Sequence, residues 1–168
     1  MPEHISIVHI PAYNASHAGL IIELELKAMS DNAFLINSTG EVAIALQRSV
    51  RRIIEIMSSM KKSWRCLEYA RYWLTCHSHP FIVRDAKSAG MALSIALLNI
   101  CRSMQGKPQV QGLSGTGVLR VDGSFDCSHR EEEKYRAARK NLKYLNKFIT
   151  PHESASLLDL ENLMNSLC

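Results

Sequence analysis

Between Ala89 and Met104 the chain carries alanine, leucine and isoleucine around the whole circumference of a helix, and this segment restricts the possible folds more than any other. A helix that is apolar on all sides has to be buried, so other elements must surround it. Gly106-Lys-Pro108 ends it. Immediately before it stands Asp85-Ala-Lys-Ser-Ala-Gly90, which sets Ser88 at the helix mouth. A hydroxyl there lies beside unpaired backbone N–H groups and the positive end of the helix dipole. Two roles suit it. Asp85 and Ser88 are both good N-cap types, and a helix start needs one. The same surroundings stabilise an oxyanion, which is what a nucleophilic serine requires.

The flanking sequence supplies the surrounding layers. Ile5–Ile10 and Leu20–Met29 read as strands, with Ile22, Leu24 and Leu26 alternating with Glu23, Glu25 and Lys27. Asn37-Ser-Thr-Gly40 reads as a turn that opens a helix. Val42, Leu46, Val50, Ile53, Ile54, Met57 and Met60 then recur at spacings of three and four, with arginines 48, 51 and 52 on the outer face. Residues 63–83 fit either a short helix or a strand, with Pro80 closing the stretch. Leu113–Val121 reads as a strand with glycines 115 and 117, followed by an Asp122-Gly123 turn. Glu131–Asn141 reads as a charged helix and Lys147–Thr150 as a last strand. Ser154 and Ser156 offer starts for a leucine-rich terminal helix. Interleaved strands and helices without a linker predict an α+β fold, a mixed β-sheet packed by helices, over residues 1–168 as a single domain.

Composition narrows the function classes. The chain has 168 residues and a formal net charge of +4, part of it in Arg48, Arg51, Arg52, Lys61, Lys62 and Arg65. That density is what the solvated side of an amphipathic helix carries, and it argues against nucleic acid as a partner. No apolar run approaches the ~20 residues that span a bilayer. The first residues lack the basic start and apolar stretch of a signal peptide. Five cysteines without framework spacing fit reduced thiols, so a cytoplasmic protein is expected. Cys76, His77 and His79 with Cys127 and His129 contain enough soft ligands for zinc. Their spacing is not a zinc motif, however, and neighbouring strand residues point to opposite faces. The expectation is therefore no metal and no cofactor.

Lys134 is the second residue with chemical interest. Its neighbours three and four positions on are Ala137 and Ala138, the small apolar residues available to pack inward, so Lys134 shares the inner face of its helix. An ammonium buried there costs several kcal/mol unless it is paired or neutral. As a neutral amine it can take the proton from a serine hydroxyl. The ordinary alternative is a solvated or ion-paired lysine.

Taken together, Asp85-Ala-Lys-Ser-Ala-Gly-Met-Ala-Leu-Ser-Ile-Ala-Leu-Leu98 resembles the active-serine motif of the proteolytic domain of Lon proteases. In that family the pattern is aspartate-glycine-proline-serine-alanine-glycine before an alanine-rich helix. Gly115-Thr-Gly-Val-Leu-Arg-Val-Asp-Gly123 is similar to the family's threonine-glycine strand and turn. Glu133-Lys-Tyr-Arg-Ala-Ala-Arg-Lys140 is similar to its catalytic-lysine helix. Weaker likeness runs in order over about residues 17–168.

The resemblance implies a Lon proteolytic-domain fold, which is ribosomal-protein domain 2-like. It also implies a serine endopeptidase with Ser88 as nucleophile and Lys134 as general base. Thr116 would orient the lysine, Asp85 would shape the serine turn, and Ala89 belongs to the same motif. Three positions depart from the pattern: Ala86-Lys87 replaces glycine-proline, His129-Arg130 replaces a glycine pair before the lysine helix, and Val118 replaces an acidic residue. No Gly-x-x-x-x-Gly-Lys-Ser/Thr phosphate loop occurs in the sequence. The implied substrates are therefore peptides or unstructured proteins, unless a separate ATPase partner unfolds them. The family likeness also implies an oligomeric tendency. The alternative is a Lon-fold module that has lost catalysis and acts in binding or assembly.

Overall fold

The computed structural model describes the backbone of residues 2–14, 17–77 and 86–168. Strands β1 (Glu3–Asn14) and β2 (His17–Ser30) form a long antiparallel hairpin, in register from Glu3 opposite Met29 to Ile10 opposite Ile22. Period-two alternation decides which faces are covered. Ile22, Leu24, Leu26 and Ala28 are buried together with Val8 and Ile10, while Ile5 and Ile7 face outward. β3 (Leu35–Thr39) and β4 (Ala70–Cys76) complete a four-stranded sheet of order β1-β2-β4-β3. β4 runs antiparallel to β2 and parallel to β3, so the sheet is mixed.

Helix α1 (Glu41–Met60) buries Leu46, Val50, Ile53, Ile54 and Met57 and leaves Arg48, Arg51 and Arg52 exposed, as the spacing predicts. Helix α2 (Gly90–Met104) is the central element, with every residue from Gly90 to Cys101 buried. It lies against β1, α1 and the later strands, so each of its large apolar side chains stabilises the core by about 1.5–3 kcal/mol. Two short pairs follow. β5 (Leu113–Gly115) runs parallel to β8 (Lys147–Ile149), and β6 (Val118–Leu119) runs antiparallel to β7 (Phe125–Asp126). Helix α3 (Glu131–Asn141) packs on β1 and β2. Helix α4 (Leu157–Ser166) starts at Ser156, whose side chain accepts a bond from the Asp159 N–H at 3.2 Å. The molecule is thus α+β with a mixed sheet, as expected. Among the described residues, no helix is long and apolar enough to cross a membrane.

Two details differ from the sequence reading, and one stretch that it left open is resolved. Asn37, Ser38 and Thr39 are strand rather than turn, paired with Trp73, Leu74 and Thr75, and the break falls on Gly40 alone, at φ +84°. The parallel pairing of β3 is a long-range contact that local pattern does not announce. The ambiguous stretch 63–83 divides, with a 3-10 turn over Lys62–Glu68 followed by strand β4. Pro80 and the residues after it through Asp85 lie outside the described residues. Leu113–Val121 is not one strand, because the chain leaves β8 after Gly115 and joins β7 at Val118.

All five cysteines are free thiols. Those of Cys66 and Cys101 lie 3.3 Å apart, and their mutual hydrogen bond holds Cys66 below the ordinary thiol range and pushes Cys101 above it.

Candidate functional site

A 3-10 turn over Lys87–Ala89 delivers Ser88 to the head of α2. Neither this turn nor α2 is closed by a side-chain cap, and the N-cap position of α2 is Ala89. Ser88 therefore does not serve as the helix cap that its residue type permits. Its backbone is fastened instead. The Ser88 carbonyl accepts bonds from the Gly117 N–H at 3.3 Å and the Thr116 hydroxyl at 3.4 Å. Three residues on, the Met91 N–H donates to the Gly117 carbonyl at 3.1 Å. The serine turn is thus stitched to the crossover between β5 and β6.

The glycines explain how the segments approach so closely. A Cβ on Gly90 would stand 2.9 Å from the Leu119 nitrogen and 3.1 Å from the Gly117 oxygen. One on Gly115 would stand 2.5 Å from the Ile149 oxygen. Both positions admit only hydrogen, so the small residues of the two motifs serve mutual contact.

Thr116 is fully buried, and its hydroxyl also shares a 2.6 Å bond with that of Ser128. Ser128 stands just ahead of α3, which buries Lys134 at 5% exposure beside Ala137 and Ala138, while Arg136, Arg139 and Lys140 are exposed. The inward face of the helix is the one expected. Thr116 therefore joins the serine turn on one side to the approach of the lysine helix on the other. Ser88 and Thr116 are brought together, Ala89 next to the half-buried Ser88 is itself buried, and Lys134 sits on the helix that Ser128 approaches. Asp85 lies outside the described residues. Ser128 was not foreseen, since nothing local in Cys127-Ser-His129 marks that hydroxyl.

The residue just before α3 has an unusual backbone conformation. Arg130 adopts the left-handed conformation, φ +57° and ψ +38°, among the described residues the one non-glycine at positive φ. Its guanidinium meets Glu133 at 3.3 Å, an exposed pair that contributes little. Arg130→Gly is expected to stabilise the fold by about 0.5–1 kcal/mol, because glycine adopts this conformation without strain. An unchanged or lower urea midpoint would contradict it.

The turn after β8 is fixed by Thr150 and Glu153. Oε2 of Glu153 accepts from the Thr150 N–H at 2.8 Å and the Thr150 hydroxyl at 2.5 Å, and the His152 N–H donates to the same hydroxyl at 3.3 Å. Partial burial acts to raise the Glu153 carboxyl, but the two Thr150 donors outweigh it and hold it below the usual carboxylate range. A carboxylate lowered in the folded state adds stability above its unfolded pKa, and that stability is lost as pH falls through the folded value. Glu153→Gln is expected to cost about 0.5–1 kcal/mol near neutral pH. The gap to wild type, read from urea midpoints, should close as pH drops below about 4.

Two larger grooves, of about 580 and 520 Å³, open on the surface, and neither is lined by Ser88, Thr116 or Lys134. No family model and no curated protein matches the chain.

Proposed function

We propose that this chain is a Lon-type proteolytic domain, cleaving peptides or unstructured proteins through a Ser88–Lys134 dyad. One observation carries the reading: the serine turn is hydrogen-bonded to Thr116-Gly117, and Thr116 reaches on to Ser128 at the approach to the helix that buries Lys134. The three motif segments resembling the family's active-site sequence thus come to one region from distant parts of the chain. In the proposed reaction the neutral amine of Lys134 takes the proton from the Ser88 hydroxyl as its oxygen attacks the scissile carbonyl. Backbone N–H groups at the head of α2 hold the oxyanion. Collapse breaks the C–N bond, the lysine returns the proton to the leaving amine, and water then hydrolyses the acyl-enzyme with Lys134 again as base.

The proposed fold is the Lon proteolytic, ribosomal-protein domain 2-like, arrangement in a homo-oligomer acting in the cytoplasm. No phosphate loop occurs within these 168 residues, so an ATPase module that unfolds structured substrates would lie outside them, as in a separate partner. The test is turnover of casein by wild type, Ser88→Ala and Lys134→Ala. A second reading, a non-cleaving module of the same fold, draws on Ala86-Lys87 in place of glycine-proline. It predicts no turnover by wild type.

A further inference from the structure

Cys127, Glu131 and His152 come from three segments: the stretch after β7, the first turn of α3 and the turn after β8. The Cys127 Sγ stands 3.9 Å from the His152 Nε2, and the same nitrogen stands 3.9 Å from the Glu131 Oε1. One ligand atom from each residue lies within 4.8 Å of the other two. Donors around a tetrahedral zinc ion sit about 3.3–3.7 Å from one another, given metal–ligand distances of 2.0–2.3 Å. The two His152 contacts exceed that spacing by a few tenths of an ångström, and the Cys127–Glu131 pair, within 4.8 Å, closes with a shift of about an ångström at most shared between two side chains.

A second observation points the same way. The other carboxylate oxygen of Glu131 is buried and has no hydrogen-bond partner among the described residues. A carboxylate oxygen removed from water without a partner is costly, and a cation beside the carboxylate offsets that cost. The backbone positions are already set. His152 is held by Thr150, and Glu131 opens a regular helix.

We propose that Cys127, Glu131 and His152 form a zinc site. A thiolate, an imidazole and a carboxylate suit this borderline ion, whereas magnesium and calcium select all-oxygen sites. The two anionic ligands balance its charge. Three protein ligands leave a fourth position for water, at the edge of the 580 Å³ groove that Glu131 and His152 share with Tyr135, Arg139 and Phe148. Binding releases the Cys127 proton to solvent. The sequence grouped Cys127 with Cys76, His77, His79 and His129, but His77 faces Glu25 at 3.4 Å and the partners of Cys127 are residues that grouping omitted. Glu131 and Lys134 are one turn apart on α3, so an ion here pins the start of the lysine helix to the β8 turn. The site stands whether or not the chain is a peptidase.

The test is titration of the chelator-treated full chain with cobalt(II), a spectroscopic stand-in for zinc. Wild type is expected to bind one equivalent with thiolate-to-cobalt charge-transfer absorption, and zinc should displace it. Cys127→Ser should lose the charge-transfer band, while Cys76→Ser keeps it. Glu131→Gln and His152→Ala should weaken binding about tenfold or more. Metal-free melting temperatures verify that the variants fold. In the unmutated protein, zinc should protect Cys127 from alkylation, an outcome independent of any variant. Absence of a thiolate band, its survival in Cys127→Ser, or alkylation of Cys127 at the same rate with and without zinc would overturn the proposal.

Discussion

Ser88→Ala is expected to lower casein turnover by roughly 10³-fold or more, with Lys134→Ala lowering it to the same floor. If they are nucleophile and base as proposed, the two should not add, because such a pair acts as a unit, and the double variant should match either single one. Lys134→Arg separates chemistry from packing. An arginine keeps a long cationic side chain but cannot surrender its proton, so it should be as inactive as alanine. Burial makes the lysine substitutions a stability risk, since Lys134 is 5% exposed. Each rate must therefore be read beside a melting curve. Ser88 is only half-buried and caps no helix, so Ser88→Ala should melt like wild type. Equal rates in all variants would mean that a contaminant or another residue does the work. A well-folded wild type with no turnover over a range of substrates and conditions would leave the binding module as the reading.

Part of this arrangement was legible in the sequence because it rests on local period. The all-round apolar run gave the central helix, and Ala137 with Ala138 gave the inward direction of Lys134, since helical neighbours are fixed at three and four residues. The outward Glu23, Glu25 and Lys27 likewise betrayed a one-sided strand. What was not legible depends on contacts between distant segments. The pairing of β3 with β4 joins strands some thirty residues apart, and the Thr116–Ser128 hydrogen bond and the meeting of Cys127 with His152 are set by how β5, β7 and β8 converge. Ser128 and His152 have no periodic partners of their own to mark them. Val118 and Leu119 look like a continuation of β5, and only the position of β7 makes them a separate strand.

The same convergence predicts a large loss of stability from a single methyl group. At Gly115 a Cβ would meet the Ile149 carbonyl oxygen at 2.5 Å and the Met91 Cγ at 2.9 Å. The first is backbone, in the strand paired with Gly115, so it cannot swing aside as a side chain can. β8 has to retreat, which lengthens the 3.0 Å bond from the Thr116 N–H to the same carbonyl. Gly115→Ala is therefore expected to cost about 3 kcal/mol, at the upper end for overpacking. For a chain of this size that lowers the melting temperature by roughly 6–12 °C.

Two other glycines calibrate the claim. Gly106 has nothing within 4 Å of its would-be Cβ but sits at φ +72°, so Gly106→Ala should cost only about 1–2 kcal/mol of backbone strain. Gly117 has ordinary φ and a nearest contact of 3.3 Å to the Pro151 side chain, so its alanine variant should fall below both. A Gly115→Ala melt within 1–2 °C of wild type would show that β5 and β8 are not pressed together as described. If the order holds and the chain is a peptidase, Gly115→Ala should also lose activity at temperatures where it remains folded. Shifting Thr116 moves the hydroxyl that links the serine turn to the approach of the lysine helix.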